Sequence, residues 1–238
     1  MRGWWSAVLA AFGALAGSVA LAGTSDGRGL LELAGRHVKW GAPVYGSHAR
    51  VTYGFVAAPT DFPEARNCQA MAPLSPMLAR YGIDHAALER ETAAAFGLWS
   101  RAAAVRFVRA ARDEWPNILI GAEARPKGIA FTNVSEAGAV DGPISLLRDA
   151  AICLAPDQRW ELGVDGDAKS YNLRYVLAHE IGHAIGLDHQ GRDHGLMGFG
   201  YHERFTSVAD IALGEGDIAA AVRLYGPAGA TLASVVGR

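Results

Sequence analysis

Cysteine is scarce in this chain: there are two, Cys68 and Cys153, in 238 residues. They allow a single bridge at most. Charge of one sign is also lacking: 22 Lys and Arg stand against 24 Asp and Glu, a net charge of -2. No basic excess points to a nucleic-acid partner, and no long like-charge run marks a disordered acidic or basic tail. There is no internal repeat and no low-complexity linker, so a single domain is the economical reading at this length. After the first 22 residues no stretch is long and apolar enough to span a bilayer, which takes about 20 residues.

Those first 22 residues differ from the rest. Arg2 supplies a positive charge, Trp4 to Ala22 has none, and Ala20-Leu21-Ala22 is a small-x-small triplet ahead of Gly23. Residues 1–22 therefore read as a signal peptide, and the mature protein as secreted or periplasmic. The alternative is an uncleaved anchor, since the apolar run matches a bilayer in length. No cysteine follows to take a lipid. Residues 23–36 are small, polar and Gly-rich and read as a mobile leader. In an exported protein Cys68 and Cys153 meet oxidising conditions, so the expectation is one disulfide, against two buried thiols.

From His37 the chain alternates between strand and helix signals. Val51 to Val56 is β-rich and reads as a first strand. Residues 57–82 carry four prolines and read as a loop with short turns. A helix follows, with Asp84 as N-cap, Ile83 and Leu88 as a hydrophobic staple, and Leu88, Thr92, Ala95, Phe96 and Trp99 as its buried stripe. Ala104–Val108, Asn117–Ile120, Gly128–Val134 and Ala151–Leu154 read as strands, and residues 135–150 show no period. A second helix begins at Asn172 or Leu173 and stops at Gly186 in a left-handed C-cap. A third spans Glu215–Tyr225 with Ile218, Ala221, Val222 and Tyr225 on one side, and Gly226-Pro227 ends it. The remaining residues, 227–238, form a tail. The class is α+β.

The segment His179-Glu180-Ile181-Gly182-His183-Ala184-Ile185-Gly186-Leu187-Asp188-His189 carries the chemistry. Histidines four apart on a helix share a face and one metal ion. Gly186 lets the chain reverse, so that His189 reaches the same ion from a loop. Three neutral nitrogens with an open fourth position suit a catalytic Zn2+ rather than a closed structural one. Glu180 sits beside the ion, where a carboxylate takes a proton from an activated water. His37, His48, His85, His194 and His202 have no metal spacing and read as ordinary surface or core residues.

This HExxHxxGxxH pattern resembles the metzincin metallopeptidases, and among them the matrixins. Gly195-Leu196-Met197 stands where a matrixin's methionine turn is expected, with Met197 eight residues after His189 as an apolar floor. Lys39-Trp40 with Val51-Thr52-Tyr53, then Ala95-Phe96 and Trp99, Asn117 to Gly121, Trp160, Asp217-Ile218 and Leu224-Tyr225-Gly226 extend the likeness over about Val38 to Gly226. The resemblance implies one zincin-like catalytic domain over residues 37–226. It would be a twisted mixed sheet of about five strands with two large helices and a C-terminal one. It also implies a zinc endopeptidase that acts on peptide or protein substrates, as a monomer and free of the membrane once the signal is removed. Gly128–Val134 would be the sheet edge along which a substrate peptide adds.

Departures from the family limit what carries over. The leader has no cysteine to silence the metal, and residues 121–150 lack histidine for secondary metal sites. Asp165 and Asp167 in a Gly-containing loop offer either a Ca2+ site or, more commonly, a solvated turn. Gly198-Phe199-Gly200-Tyr201 replaces the usual aromatic-proline sequence. Tyr201 is the candidate pocket wall, and Phe199 stands where some metzincins have a tyrosine ligand. Two rival readings remain: a zinc-stabilised binding module that cleaves nothing, and a membrane-anchored peptidase of the same chemistry.

Overall fold

The computed structural model describes residues 6–7, 29–123, 125, 127–137, 142–164, 170–191, 195–199 and 207–229. Asp165, Asp167, His194, Tyr201, His202, residues 230–238 and all of residues 1–28 except 6–7 lie outside that set. In chain order the strands are β1 (Ser6–Ala7), β2 (Glu32–Leu33), β3 (Arg36–Lys39), β4 (Ala49–Phe55), β5 (Thr60–Asp61), β6 (Ala70–Met71), β7 (Val105–Arg109), β8 (Ile118–Ala122), β9 (Ala130–Glu136), β10 (Ile144–Leu154), β11 (Arg159–Glu161) and β12 (Ser170–Asn172). The helices are α1 (Ser75–Leu78), α2 (His85–Ala102), α3 (Leu173–Ala184) and α4 (Glu215–Tyr225).

The main sheet runs β1-β9-β10-β8-β4-β7 and is mixed. β7, β4, β8 and β10 are parallel to their neighbours, and β9 is antiparallel to β10. Parallel neighbours need a crossover, and α2 supplies the one between β4 and β7. Both faces of the sheet are covered, so its central strands are apolar on both sides. Ile118, Ile120, Ala130, Val134, Ala150, Ile152 and Leu154 join the main core with α2 and α3. Leu119, Phe131, Ala151 and Cys153 alternate with them and meet Val56, Phe62, Ala65, Cys68 and Met71 in a second cluster. That second cluster lies under the 56–71 segment. A disulfide joins Cys68 to Cys153 there, and so ties the loop to the sheet's centre.

Local signals place α2 where the sequence predicts it. Asp84 Oδ1 accepts the backbone N–H of Ala87 at 2.7 Å, and Leu88, Thr92, Ala95, Phe96 and Trp99 are all buried. Three expectations change. The 135–150 stretch holds most of β10, an eleven-residue strand. Its register shifts between Leu147 and Asp149, which breaks the two-residue alternation that would reveal a strand. Within the supposed mobile leader, residues 29–36 are part of the domain. Leu30, Leu31 and Leu33 are buried, the Leu31 N–H donates to Gly186 O at 2.8 Å, and the Asp188 N–H donates to Gly29 O at 3.0 Å. Three leucines find apolar cover there, which outweighs the flexible composition around them. Finally, α4 buries Asp217, Ala220, Ala221, Leu224 and Tyr225 and leaves Ile218 exposed. The helix is turned by Asp217, whose carboxylate has a buried task. Among the described residues no helix is long and apolar enough to cross a membrane.

Candidate metal centre

α3 carries the site. Asn172 caps it: its Oδ1 accepts from the Tyr175 N–H at 3.0 Å, while its Nδ2 donates to the carbonyls of Leu162 and Gly163. Trp99 Nε1 donates to Ala178 O at 2.8 Å, and Arg174 pairs with Glu91 at 2.7 Å. These two contacts lock α3 against α2 on either side of its N-terminal half. The helix ends at Gly186, whose φ is +96°. A Cβ there would lie 2.1 Å from Val38 O, so only glycine fits both the turn and its neighbour.

The reversal brings His189 back to the helix. His179, His183 and His189 gather their ring nitrogens within 4.8 Å of one another. Nε2 of His179 lies 3.1 Å from that of His183 and 3.2 Å from that of His189. The two helical rings are oriented by backbone carbonyls: Nδ1–H of His179 donates to Leu196 O at 2.6 Å, and Nδ1–H of His183 to Leu187 O at 2.9 Å. That assigns the proton to Nδ1 and leaves Nε2 of both helical rings as an acceptor facing the cluster. Acceptor nitrogens at such spacing repel unless a cation lies between them. Burial, with His189 beside it, holds His179 down at about 3, and burial holds His183 well below its ordinary value, so protons are disfavoured. Three neutral nitrogens at tetrahedral zinc distances would stand roughly 3.3 Å apart. The donor set therefore fits Zn2+.

Glu180 is fully buried beside this cluster. Thr132 Oγ1 donates to its Oε2 at 2.6 Å, and its Oε1 has no hydrogen-bond partner among the described residues. Burial pushes the carboxyl up to about 8, and the Thr132 hydrogen bond opposes that.

The methionine turn closes the floor. Met197 is fully buried, and a Cβ added to Gly182 would meet its sulfur. Asp217 holds the turn: Oδ2 accepts from Leu196 N at 2.6 Å and Gly214 N at 2.8 Å, and Oδ1 from Met197 N at 3.3 Å. Since Leu196 O in turn accepts from His179, α4 braces the His179 ring through two hydrogen bonds. Phe199 lies over His189 with ring centroids 4.4 Å apart and is 60% exposed. It offers no ligand atom.

The structure thus brings His179, Glu180, His183, Gly186, His189 and Met197 together. The Cys68–Cys153 bridge lies in the second apolar cluster, away from them. His37 pairs with the Tyr45 hydroxyl, and His85 lies 3.5 Å from Glu89, one turn along α2. Thr132, Gly182 and the bracing role of Asp217 come into view only with the fold. An acidic residue two positions inside an otherwise apolar helix face was the available signal for Asp217.

Comparisons with known proteins agree with this geometry. The family model described as Matrixin matches residues 77–226. The chain is 32% identical to human neutrophil collagenase over 156 residues, which is 60% of this chain and 30% of that protein. It is 27% identical to rabbit interstitial collagenase over 162 residues, 64% of this chain and 30% of the relative. Over 80 residues it is 39% identical to rat stromelysin-2, 34% of this chain and 16% of the relative. The matched region spans less than a third of each of these relatives. With the matched model covering more than half of its length, the chain belongs to the matrixin family.

Proposed function

We propose that the chain is an exported zinc endopeptidase, acting as a monomer on extended peptide segments, with Glu180 as general base and then general acid. The observation that carries this reading is the second oxygen of Glu180: it is buried, has no hydrogen-bond partner among the described residues and belongs to the residue next to a metal-fitting histidine. Such an atom is costly to bury unless it has a proton to handle.

His179, His183 and His189 would hold the ion, which when bound supplies Lewis acidity to a water and to the scissile carbonyl. Glu180 Oε1 accepts the proton of the attacking water and delivers it to the departing amine. Leu196 and Leu187 keep the two helical rings in the ligating tautomer throughout. β9 supports the peptide part of the reading. One side of β9 pairs with β10; among the described residues its other side takes only Ser6–Ala7, opposite Val134 and Asn133. A substrate strand would add along that side, next to Thr132 and Glu180. Export rests on the composition of residues 1–22.

Replacing Glu180 with Gln should cut hydrolysis of a quenched fluorogenic peptide by about 10²-fold or more, with zinc content unchanged. Wild-type turnover by that variant overturns the assignment. Hydrolysis by the wild-type chain that stops with a chelator and returns with zinc separates an enzyme from a silent binding module.

A further inference from the structure

We infer that Thr132 is a positioning residue for Glu180: its hydroxyl tethers one carboxylate oxygen so that the other, which meets no donor among the described residues, is presented as the base. This deepens the proposed function and rests on it.

Thr132 sits mid-strand on β9, and its side chain points to the helix-covered face. Ala130 and Val134, two residues either side, belong to the main core on that face, while Phe131 belongs to the opposite cluster. Packing alone asks for an aliphatic residue here. A fully buried hydroxyl is instead present, and such a group is costly unless it is bonded. The partner is across the site, not along the strand. Oγ1 lies 2.6 Å from Glu180 Oε2 and 3.1 Å from Glu180 O. Its single proton goes to the nearer and more basic oxygen, at a short hydrogen-bond distance.

The consequence is geometric. A glutamate carboxylate on a helix has several rotamers and swings through more than an ångström between them. Fixing Oε2 to β9 leaves one place for Oε1. The same strand has, among the described residues, only Ser6–Ala7 along its other side, so one residue ties the base to the surface along which the substrate would add. Pre-set geometry of this kind lowers the barrier to proton transfer and does not change how tightly substrate binds. Among the described residues, the side-chain hydrogen bonds of Thr132 go to Glu180 and to none of the three histidines. Its loss should therefore leave the metal in place.

The test uses the zinc-loaded full chain and a quenched peptide. Thr132→Val keeps the shape and removes the hydroxyl, and Thr132→Ser keeps the hydroxyl. The Val variant is expected to lose between about tenfold and a hundredfold in kcat, with KM within about twofold. Zinc affinity, measured by chelator competition, should stay within about twofold, and the Ser variant should keep most of the wild-type kcat. If the Val variant does not fold, Thr132→Ala gives the same comparison. Wild-type kcat without the hydroxyl overturns the inference. So does equal loss in the Val and Ser variants, which would mark a packing role, and so does loss of zinc in step with activity. Glu180→Gln run alongside separates the two claims. An active Gln variant sinks the function, whereas an inactive one beside a fully active Val variant sinks only the tether.

Discussion

The sulfur of Met197 lies against the backbone of α3 at Gly182, so closely that a Cβ there would stand 2.3 Å from it and 2.8 Å from the Trp99 ring. Met197 has flexible torsions and gives way cheaply. Trp99 does not, because it is fully buried and its Nε1 is bonded to Ala178 O. Gly182→Ala gains about 1 kcal/mol of helix propensity. Overpacking in a closed core costs about 1–3 kcal/mol. The expected result is a net loss of stability in urea unfolding and a looser methionine floor. A variant as stable as wild type would show that the ring moves.

Asp217 is expected to control metal affinity from two bonds away. Its carboxylate accepts three backbone N–H groups and holds the Leu196 carbonyl against His179. Asp217→Asn keeps the shape but turns an amide N–H towards one or more of those donors. The prediction is a rise of about tenfold in the zinc dissociation constant and a loss of about 1–3 kcal/mol in stability. Chelator competition and denaturant titration measure the two separately. Unchanged zinc affinity would mean that the turn is held by its other contacts alone.

Lys39 makes stability depend on alkaline pH. It is fully buried, with Nζ donating to Ala42 O, Ser47 O and Ser47 Oγ and lying 5.1 Å from the Tyr225 ring centroid. No carboxylate pairs with it among the described contacts, and burial lowers its pKa from 10.5 to about 8. Below about 8 the lysine is charged in both folded and unfolded chains, and the burial penalty stands in full. Between about 8 and 10.5 the folded chain releases the proton while the unfolded chain keeps it, so stability rises with pH. Wild type should therefore gain on Lys39→Met across that window in urea titrations at stepped pH. Parallel curves for the two proteins would contradict the assignment.

The parts of this molecule that were legible in the sequence are those governed by near neighbours. Asp84 and Asn172 announce their helices because a cap acts within three residues. The His179, His183 and Glu180 spacing is fixed by one helical turn, and Gly186 by the backbone angle at the turn itself. β10 was hidden because a register shift breaks its period and both its faces are buried. The packed segment at residues 29–36 was hidden because its partners, Gly186 and Asp188, lie more than 150 positions away in the chain.

By itself, then, the sequence determined which three histidines gather, the helix that presents two of them and the glycine that turns His189 back, all through local geometry. Only the tertiary structure decided how those groups are held. The tether from Thr132 to Glu180, the brace from Asp217 through Leu196 to His179 and the fit of Met197 against Gly182 each join residues 15 to 48 positions apart. No local period or propensity encodes such contacts. They exist because burying a hydroxyl or a carboxylate is favourable only where the fold supplies a hydrogen-bond partner, and a buried thioether packs only where the fold leaves a space of its shape.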